Sequence, residues 1–99
     1  MIIRVVRMTF KPESVGDFLE NFEKNKRSIR NFEGCEHLEL WQDENIKNIF
    51  LTYSYWKSEE HPNQYRDSEL FRSVWSFTKK LFSEKPIAFS SEKIEEVQK

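Results

Sequence analysis

Residues 49–56 read Ile-Phe-Leu-Thr-Tyr-Ser-Tyr-Trp, with large side chains at both odd and even positions. In a strand, successive side chains point to opposite faces of the sheet. Ile49, Leu51, Tyr53 and Tyr55 therefore share one face, and Phe50, Thr52, Ser54 and Trp56 share the other. Residues 2–10 repeat this two-sidedness, with Ile2, Arg4, Val6, Met8 and Phe10 on one face and Ile3, Val5, Arg7 and Thr9 on the other. A chain of 99 residues with two such strands must cover both faces of its sheet. No other feature narrows the available folds as much, because soluble chains do not leave wide apolar faces open to water.

The segments between these strands alternate in type. Pro12 ends the first strand because it lacks a ladder donor. From Glu13 to about Asn31, Val15, Phe18, Leu19, Phe22 and Ile29 recur at helical spacing, with acids early and bases late, which suits the helix dipole. Gly34 is a natural stop. Cys35 to Gln42 alternates as a second strand, and the polar turn at Asp43-Glu44-Asn45 joins it in a hairpin to residues 49–56. Ser58 is the expected N-cap of a short helix running to about Arg66, and Ser68 that of a longer one. The longer helix carries Leu70, Phe71, Val74, Trp75, Thr78, Leu81 and Phe82 in a broad apolar stripe. Glu84-Lys85-Pro86 breaks it, and residues 87–97 read as a fourth strand or arm with a polar outer half.

The order β-α-β-β-α-α-β predicts an α+β, ferredoxin-like domain spanning residues 1–99, with a four-stranded antiparallel sheet and the helices on one face. Helices on one face leave the second apolar face uncovered. A second copy stacked sheet to sheet covers it, so a homodimer is expected.

Composition excludes several functions. Sixteen basic residues against seventeen acidic ones give a net charge of −1, the wrong balance for nucleic-acid binding. The single Cys35 allows neither an intrachain disulfide nor a cysteine zinc site. No apolar run approaches the roughly 18 residues of a membrane span, and the N-terminus reads as a strand rather than a signal peptide. A soluble cytoplasmic protein is expected. Two glycines cannot build a phosphate-cradling loop, and the consecutive Glu59, Glu60 and His61 do not share a helix face. Neither cofactor nor metal is expected. Aromatic residues, in contrast, reach 15%. Each buries about 150–250 Å², so a small chain must place them in its core, in an interface or around a cavity.

The chain resembles the antibiotic biosynthesis monooxygenase family of the dimeric α+β barrel superfamily. The resemblance rests on Met8-Thr9-Phe10-Lys11-Pro12, Phe18-Leu19 and Phe32-Glu33-Gly34-Cys35. It continues through Tyr53 to Glu60, Tyr65 to Phe71, and Trp75 through Pro86. It implies a dimeric α+β barrel with a cavity between sheet and helices in each subunit. Some members of the family oxidise phenolic polyketides or quinols with O₂ and use no metal, flavin or haem; others bind and degrade haem. Quinol-oxidising relatives often carry histidines where this chain has Tyr65 and Leu70. Haem-degrading relatives carry a histidine and an asparagine where it has Trp75 and Val6.

The resemblance places Tyr65, Arg66 and Trp75 on the cavity wall. Tyr65 would hydrogen-bond a phenol, Arg66 would favour a phenolate, and Trp75 with Phe71 would stack on the ring. The plainer reading makes Trp75 core and Arg66 solvated. Trp56 and Tyr53 are further candidates for the wall, although alternation sends them to opposite faces. His37 is a candidate general base beside Glu39; the plainer reading is a polar pair on an exposed or dimer-facing side. Arg4 and Arg7 lie on mainly apolar faces, where a buried arginine needs a carboxylate (Glu39 or an acid of a partner chain) or several acceptors; the plainer reading has both snorkel at the sheet edge. The expected function is a cofactor-independent oxygenase, an oxidoreductase acting on a phenolic, hydroquinone or anthrone-like aromatic substrate with O₂. The alternative is a non-catalytic dimer that binds a small aromatic molecule, with haem binding or degradation a third reading.

Overall fold

A computed structural model describes residues 1–99. β1 (Ile2–Thr9) leads through a single 3₁₀ turn (Pro12–Ser14) into α1 (Val15–Arg30). β2 (Cys35–Gln42) and β3 (Ile49–Trp56) form a hairpin. Two helices follow, α2 (Glu60–Arg66) and α3 (Glu69–Thr78), then a second 3₁₀ turn (Lys79–Leu81) and β4 (Ile87–Glu92). The strands form one antiparallel sheet in the order β2-β3-β1-β4. This is the ferredoxin-like α+β arrangement that the segment order predicts.

Local chemistry sets the boundaries. Pro12 opens the first 3₁₀ turn, where its missing N–H costs nothing. Gly34 takes φ 87°, a left-handed conformation that turns the chain from α1 into β2. The hairpin turn is closed by the Asp43 carboxylate, which accepts from the backbone N–H of Asn45 at 3.0 Å and of Ile46 at 2.7 Å. Ser68 caps α3 as expected, its Oγ accepting from Phe71 N at 3.1 Å. Ser58 does not cap α2. Its hydroxyl shares a hydrogen bond of 2.9 Å with His61 Nδ1, and the helix begins at Glu60.

The last strand is shorter than residues 87–97. It ends at Glu92, opposite Ile2, the first residue of β1. Beyond that point β1 offers no partner backbone, and Ile94 and Val97, the apolar residues in the otherwise polar sequence from Lys93 onward, stay exposed.

The helices pack on the sheet face that carries Val6, Met8, Leu40 and Phe50. Phe10 is 0% exposed and lies at the centre of the core. Its ring stacks on Phe18 at 4.2 Å and on Phe82 at 5.3 Å. Full burial of one such side chain stabilises by about 1.5–3 kcal/mol.

The register places a different set on the opposite face: Val5 beside Tyr53 and Phe89, and Glu39 beside Tyr53. No helix covers this face. Trp41 remains 40% exposed, Ile87 53% and Phe89 50%. Trp41 stacks on Tyr53 at 4.6 Å, and Tyr53 donates a hydrogen bond to Tyr55 at 3.0 Å.

Candidate functional site

Between the sheet and the three helices lies a cavity of about 320 Å³. That is near the lower end of the roughly 300–1,000 Å³ usual for small-molecule sites. The sheet contributes Arg4, Val6, Met8, Leu38, Ser54 and Trp56 to its wall. The helices contribute Phe18 and Phe22 from α1, Tyr65 and Arg66 from α2, and Phe71 and Trp75 from α3.

The aromatic wall is continuous. Trp56 ends β3 only 2% exposed, and its indole N–H donates to Ser54 Oγ at 2.9 Å. Tyr65 stacks on Trp56 at 5.5 Å and meets Phe71 edge-on at 5.2 Å. Phe71 stacks on Trp75 at 5.6 Å with the planes 14° apart. Spacing explains this: Phe71 and Trp75 are four apart on α3, so both side chains project from the same face.

Polar chemistry gathers around Arg4, Arg66 and Tyr65. Arg4 donates from Nη1 to Ser90 Oγ at 3.2 Å, and Arg66 donates from Nη2 to Asn63 Oδ1. Burial, and then the charge of Arg66, presses the Arg4 guanidinium below its usual pKa. Burial also pushes the Tyr65 phenol up to about 12. Tyr65 is therefore a hydrogen-bond donor at neutral pH, never a base.

The structure brings Tyr65, Arg66, Phe71, Trp75 and Trp56 together around one cavity. It does not bring His37 or Tyr53 to them. Both project from the uncovered face of the sheet, because residues 37 and 53 have the parity opposite to Leu38 and Ser54. There His37 Nε2 pairs with the Glu39 carboxylate, whose other oxygen accepts from Trp41 Nε1 at 2.7 Å. These hydrogen bonds hold the Glu39 carboxyl below the usual range. The cavity wall contains no histidine and no carboxylate. No three His, Cys, Asp or Glu side chains converge to hold a metal ion. Cys35 is buried, and burial raises its thiol pKa.

Arg4 is the cavity residue that the sequence reading misses. It forms no ion pair with Glu39, which faces the other way, and meets the cavity instead. Its parity groups it with Val6 and Met8 in the sequence, but only the packing shows that the helices cover this face.

Residues 1–74 match the family model for antibiotic biosynthesis monooxygenase. The chain belongs to this family. Solved structures carry the same fold over almost the whole chain. One titled antibiotic biosynthesis monooxygenase superposes with a TM-score of 0.90 at 14% identity, covering 96% of this chain and 100% of that one. A conserved protein from Methanosarcina mazei Go1 gives a TM-score of 0.87 at 22% identity, covering 94% and 93% of the two chains. A Mycobacterium tuberculosis protein gives a TM-score of 0.88 at 11% identity, covering 98% of each. No curated protein matches the chain. At such identities the structural likeness fixes the fold, and the reaction must be argued from the cavity's own residues. No helix of this monooxygenase-family chain is long and apolar enough to cross a membrane.

Proposed function

We propose that the cavity oxidises a phenolic, hydroquinone or anthrone-like ring with O₂, without a metal or organic cofactor. The observation that supports this reading is the make-up of the wall: a run of aromatic faces ending in two guanidiniums and a phenol donor. The ring lies against Phe71 and Trp75. Its oxygen meets the Tyr65 hydroxyl and Arg66. A guanidinium nearby lowers the pKa of an acid by about one to three pH units, which raises the fraction present as phenolate, the better electron donor. The wall holds no carboxylate or imidazole, so the proton leaves to water.

One electron then passes from the phenolate to O₂, leaving a ring radical beside superoxide. Their combination forms a carbon–oxygen bond. On an anthrone-type methylene the resulting hydroperoxide loses water and leaves a carbonyl, so one oxygen atom enters the product and the other becomes water. A hydroquinone instead passes two electrons and two protons to O₂, giving quinone and hydrogen peroxide. The chain's contribution is orientation of the ring and stabilisation of the phenolate.

The same reading places a second copy of the chain against the uncovered sheet face, sheet to sheet, as a homodimer. Val5, Leu51, Tyr53, Tyr55 and Phe89 then become interface, with His37 and Glu39 between the subunits. Sedimentation equilibrium tests this: Phe89→Lys should shift the mass toward the monomer.

Oxygen uptake by metal-free protein with a panel of hydroquinones and anthrones tests the chemistry. Uptake above the spontaneous rate should fall at least about tenfold in Trp75→Ala and in Tyr65→Phe, in line with the loss of a positioned contact. Rates unchanged in both variants refute the site. A second reading, a non-catalytic binding dimer, is favoured by the lack of any proton acceptor on the wall. Ring binding with no uptake across the panel is its signature.

A further inference from the structure

We infer that the cavity takes its aromatic ligand as a carboxylate, the anionic group held by Arg4 and Arg66 and the ring held by the aromatic side of the wall. The inference deepens the proposed function. It rests on the aromatic-ring reading of the cavity and not on the oxygen chemistry.

Arg4 and Arg66 are the only charged side chains on the wall. Neither takes part in an ion pair; the chain's salt bridges all lie elsewhere. The partners they do have, Ser90 and Asn63, are neutral. Such partners orient a guanidinium without cancelling its charge. Glu59 and Glu92 border a neighbouring depression together with Arg66, and neither reaches it to pair.

A guanidinium keeps its charge throughout the physiological pH range. The cavity therefore carries two like charges close enough to disfavour one another. Chains seldom leave an arginine partly buried and unpaired, because the lost hydration has to be made good. A ligand anion makes it good here. A phenolate offers one oxygen and forms only after binding. A carboxylate arrives already ionised and accepts two parallel hydrogen bonds from an arginine fork. Arg4 sits on the central strand β1 and is half-buried; Arg66, at the end of α2, is exposed. The remainder of the wall is mainly apolar, which suits a ring bearing a single acid group.

Titration calorimetry with naphthoate and with its neutral methyl ester tests this on the whole chain. Naphthoate should bind at least about tenfold tighter than the ester, about 1.4 kcal/mol. Arg4→Gln and Arg66→Gln should each weaken naphthoate by about the same factor and the ester by much less. Arg4→Lys, which keeps the charge but loses the fork, should fall between. Circular dichroism checks that each variant is folded; if Arg4→Gln is not, the exposed Arg66→Gln decides alone. Equal affinity of acid and ester overturns the inference and leaves the aromatic cavity standing. Binding of neither overturns both.

Discussion

Replacing Tyr65 by Phe deletes one hydroxyl whose ionisation the fold opposes. Burial raises the phenol from its ordinary 10.0 up to about 12, and the nearby Cys35 adds a smaller push in the same direction. In the unfolded chain the phenol ionises near its ordinary value. Between the two values the unfolded state has released more protons than the folded one, so stability falls as pH rises. The Tyr65 contribution is intact below about pH 10, costs about 1.4 kcal/mol at about pH 11, and approaches about 2.7 kcal/mol once the folded value is passed. The phenylalanine ring cannot ionise, so the variant escapes this loss. Every other titratable group is common to both proteins and cancels in the difference. Urea unfolding followed by far-UV circular dichroism, at equal protein concentrations, gives both stabilities. The wild type should lose about 1.4 kcal/mol relative to Tyr65→Phe between about pH 8 and about pH 11. A difference that stays flat across that range refutes the reasoning. It would mean that the phenol meets bulk water in the folded chain and is no buried donor.

Three further substitutions probe the scaffold. Ser68→Ala removes the α3 cap that Phe71 N uses, and should lower the unfolding free energy by about 1 kcal/mol in urea titration. Gly34→Ala requires a left-handed side chain whose Cβ would overlap the His61 ring and its Cβ, so a loss of at least about 1–3 kcal/mol is expected, visible as a lower Tm. Phe10→Ala empties the centre of the core and should cost about 3–5 kcal/mol; an unchanged urea midpoint would show that the Phe10–Phe18–Phe82 stack does not hold the fold.

The strand boundaries were legible because each has a local chemical cause. Pro12, Gly34 and the Asp43 turn sit where the chain changes direction. Five of the seven site candidates line one cavity: the family resemblance pointed to Tyr65, Arg66 and Trp75, and Phe71, four residues before Trp75 on α3, and Trp56, at the end of β3, join them. His37 and Tyr53 show the limit. Alternation says that they oppose Leu38 and Ser54, yet it does not say which set the helices cover. With β1 and β3 apolar on both sides, only three-dimensional packing makes that choice. Arg4 was obscured for the same reason. The end of β4 was obscured by another: the length of a ladder depends on its partner strand, and β1 starts only at Ile2.

Met8 and Phe18 belong both to the central core and to the cavity wall. Phe71, Val74 and Trp75 border the cavity from α3 without belonging to that buried cluster. The two sides of the pocket thus carry different structural costs on substitution. Enlarging it at Met8 or Phe18 cuts into the central core, whereas reshaping it at Phe71 or Val74 leaves the Phe10–Phe18–Phe82 stack in place. A lineage adapting to a new compound, or an engineer pursuing one, has a permissive wall and a forbidden one. Diversity among descendants of this chain should collect along a single helix.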